Sequence, residues 1–223
     1  MKDTSFNHRA RLQLAPAFTL IEIIIVMSII LTLMTIGSFG IKNVTKASGV
    51  GMAVPIAEGV FAQARALALE KGGARVLIHA TNNSAVSLHR ERYLRYMVVQ
   101  YKDGVNWITA SRGITLPDGV FFVRSLSQQG TAPDLSTVAV TLPGNSASTC
   151  YYYEFNSQGM ITDPAPSGND VPRFVIRAGM LAPGQAAPTA SASGGEKNAG
   201  GFVIWRNGGT SIFRHPDQID PNL

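Results

Sequence analysis

The chain has 223 residues, 45% hydrophobic and 15% charged, with a formal charge of +5. This suits one globular domain plus an apolar membrane segment. Cys150 is the only cysteine, which excludes an internal disulfide. The first seventeen residues, MKDTSFNHRARLQLAPA, hold Lys2, Arg9 and Arg11 against Asp3, so only +3 falls on the remainder.

Next comes Phe18 to Ile41, FTLIEIIIVMSIILTLMTIGSFGI, apolar enough to cross a bilayer as one helix. Its single charge is Glu22, and a carboxylate at that depth costs on the order of 2.5–3.5 kcal/mol on insertion scales. A bare anchor has no need of it. The basic residues ahead of the run predict a cytoplasmic N-terminus with the rest of the chain outside the cytoplasm, although Lys42 and Lys46 weaken the bias. A secretory signal places its cleavage site beyond the apolar core, whereas here the small residue Ala17 precedes it. A cut there keeps the helix on the mature protein, and Pro16 holds the site extended.

Ala17-Phe18-Thr19-Leu20-Ile21-Glu22 and the apolar run behind it resemble the prepilin-type cleavage and methylation motif of type IV pilins and type II secretion pseudopilins. The resemblance implies cleavage between Ala17 and Phe18 by a membrane prepilin peptidase, N-methylation of Phe18, and Glu22 as the fifth residue of the mature chain. One departure is Ala17, where the family usually has glycine. In this family the partner of the glutamate is the new ammonium of a neighbouring subunit. An α-amino group is mostly protonated near neutrality, and two charges that are each costly in lipid neutralise one another. The pair would set register, as a buried polar residue does in a coiled coil. The competing reading leaves Glu22 at the headgroup level of an ordinary single-pass anchor.

Beyond Ile41, helical character is expected to continue. Gly37 and Gly40 loosen it, and Gly49, Gly51 and Pro55 mark a second weak region, unless Pro55 opens a new helix at its first turn. Val54, Ala57, Phe61, Ala64 and Ala68 recur at helical spacing, with Val60 and Leu67 beside them and Glu58, Gln63, Arg65 and Glu70 opposite. Gly72-Gly73 supplies the stop. The expected organisation is a leader over 1–17, a transmembrane and filament-core helix over 18–46, and an amphipathic second half over 47–73. A β-rich domain over 74–215 and a fraying tail over 216–223 follow.

Within that domain the predicted strands are Arg75 to Ala80, Ala85 to His89, Tyr93 to Tyr101 and Val105 to Ile108. Next come VFFVRSL from Val120, Ser136 to Leu142, Cys150 to Phe155, Met160-Ile161, Phe174 to Leu181, Gly201 to Trp205 and TSIF from Thr210. Turns are predicted at Thr81–Ser84, Asp103-Gly104, Pro117–Gly119, Asn156–Gly159 and Asn207–Gly209. Residues 182–200, APGQAAPTASASGGEKNAG, read as a flexible insertion between two strands that pair across it. A long helix followed by many antiparallel strands implies α+β. The resemblance sharpens this to a pilin-like fold, with the helix packed on an antiparallel sheet. AEGVFAQARALALEKGGARVLI, YYEFNSQGMI and GFVIWRNGGTSIF resemble the minor-pseudopilin H-type or FimT-like branch. Ala-Gln-Ala-Arg, Gln100 to Gly104 and Leu116 to Val120 resemble the pilin-like family called Verru_Chthon cassette protein D.

Other chemistry leaves little trace. His8, His79, His89 and His215 lack metal-ligand spacing. Ser146 and Ser148 lack a nucleophile elbow, and Gly194 to Lys197 is too short to cradle phosphate. Cys150 reads as a buried apolar side chain, and Tyr151 to Tyr153 as filling for both faces of a strand. Arg90, Arg92 and Arg95, interleaved with Tyr93 and Tyr96, raise nucleic-acid binding as a competing function. Alternation along a strand would put Arg90 and Arg92 on one face and Arg95 on the other, and a charged strand edge explains the same residues.

The reading is a structural pilin or pseudopilin subunit, not an enzyme, with no cofactor or metal. It would be held in the inner membrane with its sheet domain outside. The implied partners are other pilin subunits, prepilin peptidase, the inner-membrane assembly platform and lipid. A DNA-receptor pilin and an uncut anchored β-domain are the alternatives.

Overall fold

The computed structural model describes residues 20–83, 85–128, 134–144, 146–166, 171–182, 185, 187–190, 198–213 and 215–219, with the backbone alone for 35–48 and 146. The chain divides into two compact units, Met1–Asn43 and Val44–Leu223. The leader, with Ala17 and Phe18, lies outside the described residues.

Helix α1 runs Leu20–Lys71 with Pro55 inside it. Pro55 neither breaks it nor starts a new helix. The hydrogen bond that proline removes is offset by buried neighbours on both sides, Ala53, Val54 and Ala57. Gly72, at φ +87°, ends the helix with its amide on the Ala68 carbonyl at 2.9 Å, the left-handed cap that glycine adopts without a Cβ penalty.

The second unit continues with β1 (Gly73–His79), α2 (Ser87–Arg92), β2 (Tyr96–Asp103), β3 (Asn106–Thr109), β4 (Ile114–Thr115), β5 (Val120–Phe122) and α3 (Arg124–Ser127). It ends with β6 (Thr137–Leu142), β7 (Ser146–Asn156), β8 (Ile161–Asp163), β9 (Arg173–Met180), β10 (Thr189–Ala190), β11 (Ala199–Ile204) and β12 (Thr210–Ile212). The protein is α+β with antiparallel sheets. Among the described residues, one sheet has the order β3-β2-β1-β7-β6, with β4 beside β2 and β8 beside β7. The other has the order β10-β9-β11-β12, with β5 beside β9. β9 and β11 pair across the insertion, Phe202 opposite Phe174, and β10 pairs with β9 from within it.

The stripe read from helical spacing is the buried one: Val54, Ala57, Val60, Phe61, Ala64 and Ala68 share one core with residues from both sheets. Phe61 sits at its centre. Its ring meets Tyr153 and Phe155 of β7 edge-on at 5.1 and 6.3 Å, and Phe174 of β9 and Phe202 of β11 at 5.2 and 5.1 Å. Gly200 lets α1 come this close to the second sheet. A Cβ there would stand 2.9 Å from Val50 Cγ1 and 3.1 Å from Val54 Cγ2.

Three strand expectations are corrected. Ala85 to His89 is not a strand, because both edges of β1 are already taken, by β2 and β7. The segment folds into α2 over the sheet's other face. β2 starts at Tyr96, not Tyr93, because Leu94 turns left-handed at φ +53°. Its amide donates to the His79 carbonyl at 2.8 Å and its carbonyl accepts from Phe122 at 2.7 Å, two bonds that repay the strained conformation. VFFVRSL is strand only to Phe122 and then turns into α3. In the tail expected to fray, Pro216–Gln218 forms a 3-10 turn and Ile219 is buried against Leu126 and Val175.

Among the described residues, one stretch, Gly49–Lys71 within α1, is long and apolar enough to cross a membrane, and Leu20–Met34 is a shorter apolar helix. Their surroundings differ. The first buries its apolar stripe under the two sheets, as the core helix of a globular unit does. The large apolar side chains of the second stand 41–78% exposed.

Phe61→Ala should cost about 3–5 kcal/mol, the range for truncating a buried aromatic residue. Denaturant unfolding of the full chain in detergent checks it, with the exposed Gln63→Ala expected to change little.

Candidate functional site

Two regions carry the chemistry singled out from the sequence. The first is the start of α1. Glu22 lies in its first turn, where the helix dipole favours a negative charge, and its side chain is exposed. Around it Leu20, Ile21, Ile23, Ile24, Ile25 and Val26 are all exposed. Ser28 and Thr32 donate their hydroxyls back to the carbonyls of Ile25 and Ser28, at 2.7 and 2.6 Å. That leaves these hydroxyls satisfied within the helix in any apolar surroundings.

The second region is the basic segment after β1. Its arginines do not alternate along a strand; they ride on α2 and the turn behind it. Arg92 donates to the Pro143 carbonyl at 2.7 Å and lies over the Tyr96 ring at 4.4 Å. Tyr96 in turn donates its hydroxyl to the Arg112 carbonyl. Arg95 donates to the Leu116 carbonyl at 2.9 Å and pairs with Asp118 at 2.5 Å. Both guanidiniums hold chain segments together, and Arg90 is the one of the three that is exposed.

Beneath α2 lies a pair that sequence spacing did not suggest. His79, at the end of β1, and His89, on α2, are both buried, and their rings stack with centroids 5.2 Å apart. His79 Nε2 and His89 Nδ1 are 3.0 Å apart, sharing one proton donor between them. His79 Nδ1 is buried and has no hydrogen-bond partner among the described residues. Burial first, then His89 and Arg92, push the His79 imidazole down to about 4, since burial strips water from the charged form and the Arg92 guanidinium repels it. Cys150 stands opposite His79 in the β1–β7 ladder. It is fully buried, and burial pushes its thiol up to about 12, so it stays protonated and is no nucleophile near neutrality. Among the described residues no three His, Cys, Asp or Glu side chains gather to hold a metal.

Arg75 shows how the same sheet face accommodates a charge. It is buried between neighbouring strands, donates from Nε and Nη2 to Gln100 Oε1 at 2.9 and 2.8 Å, and lies 4.2 Å from the Trp107 ring centroid. The cross-strand pairing of Arg75 with Gln100 makes that contact, and nothing in the local sequence announces it.

No family model, no curated protein and no solved structure matches the chain.

His79 yields a pH dependence. Its folded-state pKa of about 4 lies below the ordinary imidazole value of 6.5, so the folded state binds fewer protons between those values. Its contribution is full above pH 6.5 and is lost as pH falls towards 4. The loss should be on the order of 3 kcal/mol. Denaturant melts of the full chain at stepped pH check this. His79→Gln should flatten the slope across that window while lowering stability at pH 7 only modestly.

Proposed function

We propose that the chain is a structural subunit of pilin or pseudopilin type, held in the inner membrane by the first part of α1 and assembled through it into a filament. The observation that carries this reading is the run of exposed large apolar side chains from Leu20 to Met34 with a single carboxylate, Glu22, in the first turn. Apolar surface of that extent needs lipid or partner helices to cover it. The prepilin-type motif Ala17-Phe18-Thr19-Leu20-Ile21-Glu22 directly ahead supports the same reading. A helix that continues into a domain of antiparallel strands is the element order that reading requires.

In this mechanism prepilin peptidase cuts between Ala17 and Phe18, and Phe18 is N-methylated. The basic leader keeps the N-terminus cytoplasmic, and the sheet domain stands outside. The helix then exchanges lipid neighbours for those of adjacent subunits on the assembly platform. The carboxylate of Glu22 meets the Phe18 ammonium of a neighbour, cancelling two charges costly in an apolar core and setting the stagger between helices. The work is assembly, not catalysis.

Mass spectrometry of the mature N-terminus tests the first step: a chain beginning at methylated Phe18 is expected, and an intact Met1 overturns the reading. Glu22→Ala tests the second. It should abolish incorporation into filaments while leaving membrane insertion unchanged or better; normal incorporation would remove the proposed purpose of the carboxylate.

A further inference from the structure

The sheet unit has a hollow of about 240 Å³ beside β5 and β9, which nothing in the assembly mechanism uses. Its apolar walls are Phe121, Phe122, Leu94 and Tyr151, and Arg124 and Arg177 also line it. The two arginines reach it from different directions. Arg177 is the cross-strand partner of Phe121 in the β5–β9 ladder, so the ring and the guanidinium share one face of the sheet. Arg124 begins α3 and lies 5.2 Å from the Tyr151 ring centroid.

Among the described residues the charge at this hollow is unbalanced. Among the described residues no carboxylate pairs with Arg177. Arg124 pairs with Asp134 at 3.4 Å through side chains that are 43% and 84% exposed, a geometry that contributes little. A neighbouring hollow across Phe121 and Gly179 is different. It contains Glu91 beside Arg90 and Arg95, and Asp118 already holds Arg95. Among the described residues, net positive charge therefore collects at the first hollow and is compensated at the second.

We infer that the hollow beside β5 and β9 binds a carboxylate that carries one aromatic or branched apolar group. Guanidinium groups present planar pairs of donors that match a carboxylate, and the aromatic walls take the apolar body. Ligand pockets for drug-sized molecules run to roughly 300–1,000 Å³, so this smaller space suits a group of amino-acid size. The shared chemistry is a terminal carboxylate next to an apolar side chain, supplied by a free acylated amino acid or by the last residue of a peptide. The site is independent of the filament reading, because all its residues belong to the sheet unit and none to the exposed part of α1.

Calorimetric titration of the full chain in phosphatidylcholine nanodiscs tests it, with N-acetyl-phenylalanine and a pentapeptide ending in phenylalanine as probes. Saturable binding of either acid is expected, and the tighter one identifies the natural source. Replacing the carboxylate by the amide should weaken binding by at least about tenfold, the loss for a charge-assisted pair. Arg177→Gln should do the same with an unchanged melting temperature, while Arg90→Gln in the neighbouring hollow should have no effect. The inference is overturned if neither acid binds saturably, if amide and acid bind alike, or if inorganic phosphate binds as tightly as the acids. The acid-against-amide comparison is made on the unaltered chain, so it stands whether or not a variant folds.

Discussion

The sheet unit depends on one aromatic ring and the helix that delivers it. Phe61 touches Tyr153 and Phe155 from one sheet and Phe174 and Phe202 from the other. The two sheets share no ladder among the described residues. Their inner faces meet instead in a core that α1 fills with alanines and this ring. Ala57, Ala64 and Ala68 bring the helix backbone close to the strands, and Gly200 does the same from the strand side. The single large side chain then fills the remaining depth. Edge-on packing adds roughly 0.5–1.5 kcal/mol per aromatic pair beyond burial, so much of the unit's tertiary order passes through this residue.

The first sheet has a second buried face, and its polar content explains several otherwise puzzling residues. β1 is buried along its whole length, with Val76 and Ile78 towards α1 and Leu77 in the cluster that includes Cys150. Arg75 and His79 are also buried and must find partners there. Arg75 finds Gln100 and Trp107, and His79 finds His89 beneath α2. The short helix thus covers a sheet face while its Arg92, with Arg95 of the following turn, ties down loops through Pro143, Leu116 and Asp118. Within this interleaved basic and aromatic sequence, Arg92 and Arg95 make contacts that join chain segments.

The two parts of α1 face opposite physical demands. From Val50 onward its apolar positions are spaced at helical intervals and buried. From Leu20 to Met34 nearly every position is apolar and exposed. A helix apolar on all sides is suited to surroundings that are apolar on all sides, which is why lipid or neighbouring helices enter the proposed function at that end and not at the other.

The sequence by itself determined the α+β class, most of the buried stripe of α1, from Val54 to Ala68, the stop at Gly72 and the pairing of β9 with β11. These follow from local periodicity and from glycine-rich turns, which act over a few residues. Only the tertiary structure decided that Ala85 to His89 forms a turn and the start of α2 instead of a strand, since the edges of β1 it would have joined were occupied by other strands. Tertiary structure alone bent Leu94 into a left-handed turn through bonds to β1 and β5, and it alone brought His79 to His89 and Arg177 to Phe121. Such meetings depend on which strands lie side by side, and a linear pattern holds no record of that.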